Sequence, residues 1–252
     1  MGKGIFDRPI AHRGLHNREA GIIENTRSAF EAAYQAGFAV ECDVQLTRDG
    51  VPVIFHDDGM ERLLGIEGDI RDAQSDVVLG APLLGSAAQD RPQTFGQFLE
   101  QANGRTLLQV ELKQQRPEKT QQLANVVVDI ASRYKGPICF ESFDPRLLIA
   151  LRRAGCRGPL GIITERYVAT GPDYASLTQS DRIALRHLLH WPVTRFDFLS
   201  VAKDALDLPA VRLFRALGKP VTSWTIRSPQ EETAARRAAD QIVFEGFSPQ
   251  SA

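Results

Sequence analysis

Short apolar runs alternate with amphipathic segments along almost the whole chain. Runs rich in β-branched and aromatic residues predict strands at 9–12, 39–45, 52–56, 107–112, 137–142, 160–164, 196–201, 220–226 and 241–245. Between most of them, apolar residues recur at helical spacing and the ends carry start and stop signals. Phe30, Ala33 and Tyr34 follow Asn25-Thr26, and Gly37 supplies the stop. Thr94, with Gln97 three residues on, reads as a capping box ahead of Phe95, Phe98, Leu99 and Ala102. Asp144-Pro145 and Ser228-Pro229 open two further helices. This alternation predicts a parallel α/β architecture, whose natural closed form is the TIM-type (β/α)8 barrel. A doubly wound open sheet is the alternative, disfavoured because no glycine-rich turn follows the first strand.

Two stretches break the rhythm. Residues 47–52 are too few for a crossover helix and contain Asp49-Gly50, the signal of a two-residue hairpin. With that turn Arg48 faces Val51 and Asp43 lies opposite His56, whereas a bulge would shift the partnership by one residue. Residues 57–93 then separate the third strand from its helix by far more than an ordinary loop, which predicts a small insertion at about 57–93 within one barrel domain spanning 1–252.

Composition narrows the class. In 252 residues, 30 Lys+Arg oppose 31 Asp+Glu without a basic run, which argues against a nucleic-acid or anionic-membrane surface. With 43% hydrophobic and 24% charged residues the chain is ordinary globular material. No apolar run is long enough to span a bilayer, and the polar residues 1–9 do not read as a cleaved signal peptide. Three cysteines without metal-site spacing fit a cytoplasmic protein with reduced thiols.

The chemistry gathers at strand ends. His12-Arg13-Gly14 closes the first strand, and Glu111-Leu112-Lys113 closes the fourth. Period-two alternation puts Glu41 and Asp43 on one face of the second strand, opposite Val40, Cys42 and Val44. The C-terminal ends of barrel strands are where such folds hold their sites. Charged residues buried there must be paired or must hold a metal. Glu41, Asp43 and Glu111 suggest one hard divalent cation, Mg²⁺ or Ca²⁺, and His12 and His56 beside it suit acid–base work. Arg13 and Lys113 suit a phosphate. The set reads as metal-assisted phosphoryl transfer without a nucleotide loop.

Those residues, in order with Glu24-Asn25-Thr26, Thr47-Arg48-Asp49-Gly50, His56-Asp57, Ser142-Phe143-Asp144 and Trp224-Thr225, resemble the glycerophosphodiester phosphodiesterases over roughly residues 9 to 245. The resemblance implies a TIM-type barrel of the phosphodiesterase kind, with its insertion after the third strand. It implies hydrolysis of glycerophosphodiesters to sn-glycerol 3-phosphate and an alcohol, through a cyclic phosphate that water opens. It assigns the metal to Glu41, Asp43 and Glu111, acid–base catalysis to His12 and His56, and phosphate binding to Arg13 and Lys113. Phe143 and Trp224 become apolar walls for substrate, and Glu24 and Asn25 supporting residues, although Asn25 or Thr26 can equally cap the next helix.

The expected partner is a small glycerophosphodiester, with no nucleic acid and no stable membrane association; a homo-oligomer stays open. A lysophospholipase D, or a diesterase of an unusual glycerol or sugar phosphodiester, is the runner-up, and exposed apolar residues among Leu63, Leu64, Ile66, Leu83 and Leu84 would favour a lipid-facing site. A non-catalytic phosphodiester-binding barrel is the reading from another class. The chain departs from the family pattern at the long 15–23 loop, at Ile226-Arg227 and at Phe244-Glu245-Gly246-Phe247. His16 is expected in a solvated loop, and His187 and His190 on one exposed or interface helix.

Overall fold

A computed structural model describes residues 4–169 and 174–249. Among the described residues nine strands are present: β1 (Ile10–Ala11), β2 (Ala39–Leu46), β3 (Pro52–Ile54), β4 (Leu108–Leu112), β5 (Ile138–Ser142), β6 (Leu160–Thr164), β7 (Phe198–Ala202), β8 (Val221–Ile226) and β9 (Gln241–Phe244). Eight of them run parallel and close into a barrel, β1 pairing with both β2 and β9, while β3 hangs antiparallel on the far end of β2. The fold is the TIM-type barrel expected from the alternation.

The helices α1 (Arg27–Gln35), α4 (Phe95–Ala102), α5 (Thr120–Ala131), α6 (Pro145–Arg153), α7 (Gln179–Arg186), α8 (Trp191–Thr194), α9 (Pro209–Ala216) and α10 (Pro229–Ala235) surround it, and α2 (Glu61–Leu64) and α3 (Ser75–Gly80) lie in the insertion. Thr26 caps α1 by accepting from the Ala29 amide, and Thr94 and Gln97 close a reciprocal capping box on α4. His187 and His190 do not share a helix: His187 ends α7 and His190 precedes α8, with Leu188 between them in the left-handed region at φ 55°.

Strand parity sorts the core. Val40, Cys42 and Val44 point outward into the main apolar cluster between barrel and helices, with Phe30, Phe95 and Phe98. Ile10, Ala39, Leu107, Cys139, Phe198 and Val243 pack together at the N-terminal end of the barrel, with Phe6 against Phe198 at a centroid distance of 5.0 Å. An apolar plug therefore seals one end and leaves the polar residues of the same inward face to the other.

The hairpin differs from expectation. Thr47, not Arg48, bonds to Val51, and Val44 pairs with Ile54. Gly50 at φ 85° takes the left-handed position of a three-residue loop, which shifts the register by one. Asp43 consequently bonds through its carbonyl to Phe55, and His56 falls just beyond the ladder. The 57–93 insertion has a core of its own, in which Met60, Leu63, Leu64, Ile70, Val78 and Leu83 pack on Phe55.

Gly14 turns the chain from β1 toward α1 at φ 80°, where a Cβ would stand 2.8 Å from the carbonyl carbon of Ala29. Backbone cannot retreat as a side-chain tip can. Gly14→Ala is expected to lower stability by about 1–3 kcal/mol, read as a drop in urea midpoint at unchanged slope.

Candidate active site

The open end of the barrel forms a cleft of about 440 Å³, lined among others by His12, Arg13, Glu41, His56, Glu111 and Lys113. Parallel register sets Asp43 beside Glu111 on β2 and β4. Carboxylate oxygens of Glu41, Asp43 and Glu111 lie within 4.8 Å of one another, with Glu41 and Asp43 fully buried. Lys113 Nζ bridges two of them, 3.2 Å from Asp43 Oδ1 and 3.0 Å from Glu111 Oε1.

Burial and crowding split the three acids. Burial, then the charges of Asp43 and Glu111, push Glu41 well above the usual carboxylate range. Glu111 is also raised, by burial first. Asp43 goes the other way: burial opposes its charge, but Lys113, His56 and Arg13 outweigh it. Three oxygen donors this close, with too little positive charge among them, fit a hard divalent cation.

Arg13 sits at φ 55°, a left-handed conformation held by its own amide donating to Glu41 Oε2 at 2.9 Å and its carbonyl accepting from Asn25 N at 2.9 Å. Its guanidinium lies 2.7 Å from Glu24 Oε1 and 3.4 Å from Asp43 Oδ2. Asn25 donates to Asp43 Oδ2 at 2.8 Å, while Thr26 does the capping. The cap and the contact to the carboxylate cluster therefore fall on neighbouring residues of that tripeptide.

Each histidine has a carboxylate on Nδ1. His12 Nδ1 donates to Glu245 Oε2 at 2.5 Å, and His56 Nδ1 to Asp57 Oδ1 at 2.8 Å. Nε2 of His12 then points toward Glu41, 4.0 Å from Oε2. Burial lowers the pKa of His12, the Glu245 hydrogen bond opposing it. Phe143 and Trp224 also line the cleft and meet edge to face at 5.5 Å.

Four participants were not among the predicted site residues. Glu245 had been read only as a departure from the family pattern; its oxygens also meet Arg227 and His16. His16 lies in the loop, half-buried rather than fully solvated, 3.7 Å from Glu245 Oε2. Gln45 donates to the carbonyls of Phe55 and Asp57, bracing His56 from both sides; its parity with Glu41 and Asp43 was the available signal. Glu141, facing Glu111 across β4 and β5, accepts from Gln109 Nε2 at 2.9 Å, and burial pushes it up to about 8. Its alternation with Cys139 was legible, but Cys139 carries no polarity to mark the inner face.

Comparison with known proteins places the chain. The model of the glycerophosphoryl diester phosphodiesterase family matches residues 12–244. The chain belongs to that family. A curated glycerophosphodiester phosphodiesterase 1 of Bos taurus is 26% identical over 249 residues, covering 89% of this chain and 73% of the relative. Glycerophosphodiester phosphodiesterase of Caldanaerobacter subterraneus is 42% identical over 64 residues, 25% of each protein. A Bacillus subtilis protein, YqiK, is likewise matched over only 28% of its length. Among solved structures, an Oleispira antarctica phosphodiesterase in complex with the product sn-glycerol-3-phosphate superposes with a TM-score of 0.77 at 21% identity, over 95% of this chain and 93% of that one. At that identity the likeness shows the fold alone.

A family barrel with Glu141 protonated makes a pH prediction. The folded side chain keeps its proton up to about 8, whereas its ordinary pKa is 4.5. The folded state therefore binds the extra proton in that window, and stability falls as pH rises through it. Glu141→Gln is expected to remove that slope in chelator-treated protein, gaining on the order of 3 kcal/mol over wild type by pH 8 relative to pH 5, measured by urea unfolding.

Proposed function

We propose that this chain hydrolyses glycerophosphodiesters to sn-glycerol 3-phosphate and an alcohol, by two-histidine acid–base catalysis with one divalent cation, Mg²⁺ or Ca²⁺. The observation that carries the reading is two histidines, each held through Nδ1 by a carboxylate, lining one cleft with the Glu41–Asp43–Glu111 cluster, Arg13 and Lys113. Family membership supports the reaction class. The product bound in the Oleispira antarctica structure supports the product.

Arg13 and Lys113 grip the non-bridging phosphate oxygens. Glu41, Asp43 and Glu111 would hold the cation, which would supply charge neutralisation to the phosphate. His12 starts neutral because burial lowers its pKa, which suits it to accept the proton of the attacking glycerol hydroxyl at Nε2. As that oxygen bonds to phosphorus, the bond to the leaving alcohol breaks and His56 protonates the departing oxygen. Water then opens the cyclic phosphate, with the two histidines exchanging roles. Phe143 and Trp224 wall the substrate's carbon atoms.

The insertion favours a small polar substrate over a lysophospholipid. Leu63, Leu64 and Leu83 are buried in its own core, leaving Leu84 and Val77 as its exposed large apolar residues. No helix of the described residues is long and apolar enough to cross a membrane. A cytoplasmic location fits the three unpaired cysteines.

The test is glycerol 3-phosphate release from glycerophosphocholine and glycerophosphoethanolamine by chelator-stripped protein, with Mg²⁺ or Ca²⁺ returned separately. Turnover is expected only with metal, and His12→Ala is expected to lower it by at least ~10²-fold. Release that persists without metal would refute the site as described.

A further inference from the structure

The insertion carries one residue that reaches both halves of the site. Arg62, the second residue of α2, makes two forked contacts. Its Nε and Nη2 donate to Asp57 Oδ2 at 2.5 Å and Oδ1 at 2.9 Å. Its Nη1 and Nη2 donate to Glu24 Oε2 at 2.9 Å and Oε1 at 2.8 Å. Asp57 Oδ1 is the same atom that receives His56 Nδ1–H, and Glu24 Oε1 is the same atom that receives Arg13. One guanidinium thus lies between the carboxylate that orients a histidine and the carboxylate that orients a phosphate-binding arginine.

We infer that Arg62 is a positioning residue which couples the insertion to the orientation of both His56 and Arg13. The inference rests on the proposed function for the roles of those two residues. Planar five-donor geometry lets arginine grip two carboxylates at once, and a lysine in its place offers a point charge that holds no fork. Without it, Glu24 and Asp57 are two anions facing each other across the gap, and each loses the contact that fixes its rotamer. The anchor under Arg62 is firm: Leu63 and Leu64, next to it on α2, are buried in the insertion's core, and the carbonyl of Leu63 accepts from Leu84 N. The insertion then does more than cover the barrel; it sets the angle at which two groups meet the phosphate.

The two arms are separable. Glu24→Gln acts through Arg13 and is expected to raise KM with little change in kcat, whereas Asp57→Asn acts through His56 and is expected to lower kcat with little change in KM. Arg62→Ala is expected to do both, each by about tenfold, since small displacements of reacting groups cost on this scale. Arg62→Lys is expected to recover little of either. Adding Arg62→Ala to the Glu24→Gln/Asp57→Asn pair is expected to cost almost nothing further, because the three act as one unit. Nitrogen chemical shifts of the His56 imidazole, read without substrate, are expected to show one Nδ1–H tautomer in wild type and a mixture in Arg62→Ala.

An unchanged His56 spectrum together with unchanged kinetics overturns the inference, as does full additivity in the triple variant. Full recovery by Arg62→Lys overturns the forked geometry. A wild type that releases no glycerol 3-phosphate refutes the proposed function instead, and the imidazole spectrum still decides whether Arg62 holds His56.

Discussion

Two neighbouring parallel strands bring three carboxylates to one spot, two of them buried, and almost every other feature of the site answers that concentration of negative charge. Moving one such group out of water costs several kcal/mol unless an opposite charge meets it. Lys113 supplies part of that charge by bridging Asp43 and Glu111. Arg13 supplies more, with its amide on Glu41 and its side chain near Asp43. What these leave uncovered is the fit for a divalent cation. In the proposed function those same two cations, Arg13 and Lys113, also receive the phosphate, so one pair of residues would serve both substrate binding and charge balance.

Precision in that arrangement comes from strands, not loops. Glu41, Asp43 and Glu111 stand on ladder positions fixed by backbone pairing, and the apolar plug at the barrel's other end leaves them no room to sink. The two histidines sit just past strand ends, where backbone alone does not fix them. Each is held instead by a carboxylate with an arginine behind it: Glu245 with Arg227, Asp57 with Arg62. Orientation by a hydrogen-bonded outer layer of this kind is how metal and acid–base sites commonly keep their geometry.

Most of the barrel and the inner half of the site were legible in the sequence, for a physical reason. Strand parity is strict, so Glu41 and Asp43 could be set against Val40, Cys42 and Val44 without a structure. Helix caps at Thr26, Thr94 and Asp144 were readable because side-chain oxygens meet free amides at fixed offsets. The hairpin register differs by one residue because Asp-Gly serves both two- and three-residue loops: both place Gly50 at positive φ, and only the two-residue turn would need Asp49 there as well, where it is not. Gln45 was marked by its parity with Glu41 and Asp43, but Glu245 and Arg62 carried no local signal. Their contacts join residues distant in the chain, and no local pattern encodes which side chains a closed barrel brings together. The contact of His16 was hidden for the same reason: its partner Glu245 lies at the other end of the sequence.

Everything proposed for this cleft depends on Glu41, Asp43 and Glu111 forming a single cation site. Calorimetric titration of chelator-stripped protein with Mg²⁺ and with Ca²⁺ tests it most directly, beside Glu41→Gln and Asp43→Asn variants shown to be folded. The account predicts one ion bound per chain in the wild type and loss of that binding in both variants. Stoichiometric binding that survives both substitutions, or no binding of either ion to the wild type, would contradict it.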